Sequence, residues 1–191
     1  MQHQINNLCR TLYLELRRLG SMAPFLKENS LKILVSSFMF TRLDYCNSLL
    51  ANLSDDTFNK LQRLQNQAAR LILKKRKRDH VTPLLIKLHW LPVKARITYK
   101  AAVLCHKCLN DKAPSYLSSL VNKYVPSRSL RSQDQMLLRV PKKGKKKFAD
   151  RAFAHFGPAT WNSLPRSLRE TKSETTFKSG LKTHLMRLHL K

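Results

Sequence analysis

The stretch DDTFNKLQRLQNQAARLILKKRKR, residues 55–78, decides the fold. Phe58, Leu61, Leu64, Ala68, Leu71 and Ile72 recur every three or four residues, which puts them on one stripe of an amphipathic helix. Lys60, Arg63, Gln67, Arg70 and Lys74 project elsewhere. Ser54-Asp55-Asp56 supplies a cap and the negative charge that the helix dipole favours in a first turn. The other end runs into Lys74-Lys75-Arg76-Lys77-Arg78. Cations suit a helix C-terminus, but that use accounts for one or two of the five. The rest point to a partner.

Working back towards the N-terminus, Ile5, Leu8, Leu12, Leu16 and Leu19 predict a first helix, roughly 3–19, ended by Gly20 with a turn at Pro24. Asn29-Ser30 caps a second, with Leu31, Leu34, Val35, Phe38 and Met39 as its stripe and Leu43, Tyr45 and Leu49 as an extension. Working forward, Thr82-Pro83 opens a short helix through Leu84, Leu85 and Leu88, broken at Trp90-Leu91-Pro92. Pro92 starts a longer helix with Ile97, Ala101, Leu104, Cys105 and Cys108 inside and Asn110 near its stop. Pro114-Ser115-Tyr116 begins another, to about Val121.

From Lys123 to Gln135 the pattern dissolves into Pro, Ser and Arg, and a linker is expected. Met136–Val140 is the one good strand candidate, ended by Pro141. The run Lys142-Lys143-Gly144-Lys145-Lys146-Lys147 is a second basic block. Phe148, Phe153, Phe156 and Trp161 suggest a small core. Ser173 with Glu174 opens a last helix to about Leu190, striped by Phe177, Leu181, Leu185 and Leu188. The fold class expected is mainly α, with at most one short hairpin or strand pair.

Composition bounds the function. Thirty-seven Lys and Arg oppose eleven Asp and Glu in 191 residues, a net charge of +26. Self-repulsion of that size opposes a compact state unless a polyanion neutralises it. At 42% hydrophobic the chain is too apolar for simple disorder. Four Gly argue against Gly-rich phosphate loops and a turn-dense all-β fold. No apolar run reaches the roughly 18 residues of a membrane span, and the N-terminus lacks the charged-then-apolar order of a secretion signal. The expectation is a nuclear or cytoplasmic protein that is not secreted, with Cys9, Cys46, Cys105 and Cys108 reduced. A run such as 74–78 serves as a nuclear import signal or a nucleic-acid patch.

Candidate chemistry is sparse. Cys105-His106-Lys107-Cys108 has zinc-like spacing, but a structural zinc takes four ligands and Cys9 and Cys46 stand alone. On a helix Cys105 and Cys108 share a face, as core residues do. The seven His are scattered, and no HExxH, Walker loop or GxSxG occurs. Phe148-Ala149-Asp150 resembles the start of a polymerase metal box. Two-metal catalysis needs several converging carboxylates, and Arg151 stands where a second Asp would. Asp150 reads as a helix cap or an ion-pair partner of Arg151. No cofactor, metal or catalytic residue is assigned. The candidate phosphate contacts are Arg63, Arg70, Lys74, Lys75, Arg76, Lys77, Arg78, Lys142, Lys143, Lys145, Lys146 and Lys147. Trp90 and Trp161 are candidates for base stacking, although core packing is the commoner use of Trp.

Several blocks together resemble a known family. Arg42–Leu50, read RLDYCNSLL, is similar to a stretch of animal non-LTR (LINE) retrotransposon polyproteins of the jockey and chicken-repeat groups. So are Leu61–Arg70, His89-Trp90-Leu91-Pro92-Val93 with Arg96-Ile97, Lys112–Leu117, Arg128–Ser132, Asp150–Phe153, Trp161–Pro165 and Phe177–Lys182. The resemblance covers nearly the whole chain, in order. It implies the region after the catalytic palm of a reverse transcriptase: a thumb-like helical bundle (1–122), a basic linker with a short strand (123–147) and an aromatic-rich helical C-terminal segment (148–191). It further implies a non-catalytic piece that grips template RNA and target DNA. The partners expected are RNA or DNA through phosphates, no membrane, and beyond these the absent polymerase palm or a second copy. The alternative is a degenerate transposon-derived product whose helices only associate.

Overall fold

The computed structural model describes residues 2–51, 53–126, 136–141 and 152–190. They form α1 (Gln2–Met22), α2 (Glu28–Leu43), α3 (Asp55–Ile72), α4 (Thr82–Leu88), α5 (Val93–Leu109), α6 (Ser115–Ser118), α7 (Phe153–Asn162), α8 (Arg166–Arg169) and α9 (Glu174–His189), with short 3-10 turns at Ala23–Phe25 and Asn47–Leu50. The protein is mainly α-helical. Among the described residues the only β pairing is an isolated antiparallel bridge between Lys123 and Leu138, so the strand expected at Met136–Val140 contracts to one bridge. Two backbone bonds flank it, from Tyr124 N–H to the Leu137 carbonyl and from Arg139 N–H to the Asn122 carbonyl. The Asn162 side chain closes the end by bonding both the N–H and the carbonyl of Leu138 at 2.8 Å.

The chain divides into two compact units. The first holds Met1–Cys46, Leu53–Arg96 and Leu188–Lys191, and the second Asn47–Asn52 and Ile97–Arg187. The boundary therefore falls within α5.

In the first unit α1 packs on α2 and α3, and α3 on α4. The core is the expected set of stripes: Ile5, Leu12, Leu16 and Leu19 from α1, Leu31, Val35 and Met39 from α2, and Phe58, Leu61, Leu64, Ala68 and Ile72 from α3. Helices α1 and α3 run parallel. The Thr57 hydroxyl bonds the Gln2 amide oxygen at 3.2 Å, Lys60 reaches Asn6, and Gly20 lies level with Leu71.

Helix ends depart from expectation. Gly20 does not stop α1, which continues through Ser21 to Met22. A lone Gly costs a helix only about 1 kcal/mol, and the end comes where Pro24 enters the next turn. Helix α2 does not extend to Tyr45 and Leu49. It closes at Leu43, Cys46 takes φ 49°, and Tyr45 is 79% exposed. At α3, Lys74 adopts φ 50°, its N–H bonds the Leu71 carbonyl at 3.3 Å, and Lys75 N–H bonds the Arg70 carbonyl at 2.9 Å. That is the Schellman pattern, with Lys in the left-handed position that Gly usually takes.

Buried amides hold the segment after α4. Gln65 is fully buried; its Nε2 donates to the Leu91 carbonyl at 2.8 Å, and its oxygen accepts from Gln62 Nε2 at 3.0 Å. Gln62 Oε1 in turn accepts the Val93 N–H at 2.9 Å. The chain around Pro92 thus has partners for backbone groups that would be costly to bury unpaired.

In the second unit the core gathers Ala101, Cys105, His106, Trp161, Phe177, Leu181 and Leu185. His106 stacks on Phe177 at 4.3 Å. Its Nε2 meets the Thr171 carbonyl at 2.8 Å, which fixes Nε2 as the donor and leaves Nδ1 buried without a partner. Gly157 lets α7 approach α5 closely: a methyl there would lie 2.8 Å from the Phe153 ring and 3.0 Å from Cys105 Sγ.

Candidate nucleic-acid interface

The cations of the first unit sort into two groups. One group is spent on carboxylates: Arg18 and Arg42 on Glu15, Lys87 on Glu28, Lys94 on Asp55 and Arg96 on Asp44. The other group has no carboxylate partner among the described residues. It comprises Arg10 and Arg17 on α1, Lys27 at the start of α2 and Lys32 within it, Lys60, Arg63 and Arg70 on α3, and the exposed run Lys74–Arg78 that follows α3.

The loop after α3 is shaped rather than merely charged. Asp79 Oδ2 accepts the Arg76 N–H at 2.8 Å, and Asp79 N–H returns to the Arg76 carbonyl. Arg70 is half-buried and its guanidinium donates to the Asp79 carbonyl, at 2.9 Å from Nη2 and 3.3 Å from Nε. Arg70 therefore ties down the base of the loop, whereas Arg63 and Lys74–Arg78 stand exposed. Lys142, Lys143, Lys145, Lys146 and Lys147 lie outside the described residues, as do Phe148 and Asp150.

On the side of α3 that carries Arg63, an open groove of about 400 Å³ runs between α1 and α3. Its walls are mostly apolar, with Leu14 and Leu64 among them, and Arg10, Lys60 and Arg63 border it. Tyr13 stands in it 52% exposed. Cys9 also lines the groove, and burial pushes its thiol up, against an opposing pull from Lys60. Sequence reading missed Arg10 and Tyr13. They lie off the apolar stripe of α1, and only the parallel packing of α1 on α3 sets them beside Lys60 and Arg63.

Other candidates resolve differently. Trp90 and Trp161 are not stacking platforms for a base. Trp90 is 5% exposed and meets Phe40 edge-on; Trp161 is 1% exposed and its Nε1 donates to the Met136 carbonyl at 2.9 Å. Cys105 and Cys108 are buried free thiols. Burial raises both, with Cys108 adding to the effect at Cys105, so neither is poised as a thiolate. Among the described residues no cluster of three His, Cys, Asp or Glu forms that would hold a metal ion. No described helix is long and apolar enough to cross a membrane.

No protein-family model matches the chain, no curated protein matches it, and no solved structure matches it. This corrects the labels that the RLDYCNSLL and LHWLPV blocks suggested. Reverse transcriptase-like, non-LTR retrotransposon, LINE, transposable element and fragment find no relative to support them. What stands is a basic, mainly α-helical protein.

Proposed function

We propose that this protein binds nucleic acid through phosphate contacts, in a binding rather than a catalytic role. The observation that carries the reading is the segregation of charge in the first unit. Glu15, Glu28, Asp44 and Asp55 pair with cations elsewhere and the Asp79 carboxylate is taken up by the Arg76 backbone N–H, while the side chains of Arg63 and Lys74–Arg78 stay exposed with no carboxylate partner among the described residues. Exposed cations without counter-charges contact phosphates and release the ions condensed on them, giving a sequence-independent, salt-sensitive affinity. The ordered base of the loop, clamped by Arg70 and Asp79, limits the entropy lost when those cations engage a strand. The net charge of +26 favours the same partner.

The test is fluorescence anisotropy with single-stranded RNA and duplex DNA across a salt series. With six or more phosphate contacts, affinity falls by roughly three orders of magnitude between about 50 and 200 mM salt. A flat response removes the proposal. Replacing Lys74–Arg78 with Gln weakens binding without changing sequence preference.

Self-association is the second reading, favoured by Phe25 at 89% exposed and Ile33 at 58% in the first unit. Size-exclusion chromatography in high salt separates the two. Oligomers that persist there come from apolar surface; oligomers that disperse come from charge.

A further inference from the structure

We propose that the groove between α1 and α3 seats an unpaired base of a single-stranded nucleic acid. The base stacks on Tyr13, and its flanking phosphates meet Arg10, Lys60 and Arg63. This rests on the nucleic-acid reading above and deepens it, from phosphate attraction to a preference for single strands.

Three observations meet in one place. The groove holds about 400 Å³, within the size range of small-ligand sites. An aromatic ring stands half in water on its wall, with Tyr13 at 52% and the adjoining Leu14 at 48% exposed. Its border carries cations from both helices, brought level by their parallel run. Arg10 and Tyr13 are three apart on α1, and Lys60 and Arg63 three apart on α3, so each pair shares a helix face.

The ligand that fits has a flat apolar face joined to anions on either side. An unpaired nucleotide has both. A duplex turns its base faces inward and offers phosphates alone. The Lys74–Arg78 loop, which follows α3, serves either form of nucleic acid; the groove serves only the form with bases free. Every base has a face to stack, so the groove is tolerant of sequence.

The experiment measures binding of the full chain to a short unstructured single-stranded RNA, a single-stranded DNA of the same sequence, and the corresponding blunt duplex, at one salt concentration. Tyr13→Ala is expected to weaken both single-stranded probes by about ten-fold or more and to leave the duplex unchanged. Tyr13→Phe, which keeps the ring, is expected to bind as wild type does. Equal losses on RNA and DNA assign the contact to base and phosphate; a larger loss on RNA adds the ribose hydroxyl, and both support the groove. The proposal is overturned if Tyr13→Ala binds single strands as wild type does, loses single strands and duplex alike, or is matched in its loss by Tyr13→Phe. A wild-type chain that binds none of the three probes overturns the nucleic-acid reading itself. Wild-type binding with Tyr13→Ala inert overturns the groove alone.

Discussion

Arg96 and Asp44, 52 positions apart, meet in a two-pronged ion pair at the junction of α2 and α5. Arg96 Nε donates to Asp44 Oδ1 at 3.0 Å, and Nη2 donates to Oδ2. The same guanidinium lies 3.9 Å from the centre of the Phe40 ring, and Phe40 meets Trp90 edge-on at 4.6 Å. Both charges are largely withdrawn from water, with side chains 20% and 16% exposed. Charges so placed depend on each other, because losing one leaves the other poorly solvated and unpaired.

Arg96→Ala should therefore lower stability by about 2–3 kcal/mol, measured by urea denaturation. Arg96→Lys should recover less than half of that loss, since an ammonium supplies neither the fork nor the planar stack. A loss for Arg96→Ala below about 0.5 kcal/mol, the level of a surface pair, would contradict the assignment.

The helical glycines should respond in opposite senses. A methyl at Gly20 meets only Leu71 Cδ1, at an ordinary 3.9 Å, so Gly20→Ala should stabilise by about 0.5–1 kcal/mol. A methyl at Gly157 collides with Phe153 and Cys105, so Gly157→Ala should destabilise by about 1–3 kcal/mol. Thermal melts of the two variants decide it.

Acid should loosen the second unit through Glu174. The hydrogen bond from Lys178, at 2.6 Å, holds its carboxyl below the usual range, and Lys107 and Lys112 act in the same direction. A carboxyl whose folded pKa is depressed contributes stability above its unfolded pKa and loses it as pH falls through the folded value. The stability gap between wild type and Glu174→Gln should thus be open at neutral pH and close in acid. A gap that stays constant from neutral to acid pH would refute this role.

Lys74 joins stability to binding. Its φ of 50° is a conformation that L-residues occupy at a cost of roughly 1 kcal/mol. Lys74→Gly should raise the melting temperature and at the same time weaken binding to duplex DNA. A variant that gained stability and kept full affinity would remove Lys74 from the interface.

The stripe of α3 was legible because Phe58, Leu61, Leu64, Ala68 and Ile72 keep the helical period without interruption, and Asp55-Asp56 marks its start. Helix ends were harder to read. Lys74, His89 and Asp111 all sit at positive φ near helix ends, where a rule that looks for Gly sees nothing. Gly20 misled for the converse reason. Trp90 and Trp161 could not be told from surface aromatics by sequence, since their burial comes from Phe40 and Phe177, remote in the chain. The groove was invisible for the same cause: Tyr13 and Arg63 become neighbours only when α1 and α3 pack in parallel. The family labels rested on likeness of separate blocks, and no family model, curated protein or solved structure matches the chain to support them.

The decisive measurement is the slope of log affinity against log salt on duplex DNA, for wild type and for the chain with Lys74–Arg78 replaced by Gln. Each phosphate contact removed flattens the slope by about 0.9, so three or more contacts from this loop should flatten it by roughly 2.7 or more. Two parallel lines would mean that these cations face solvent and no strand.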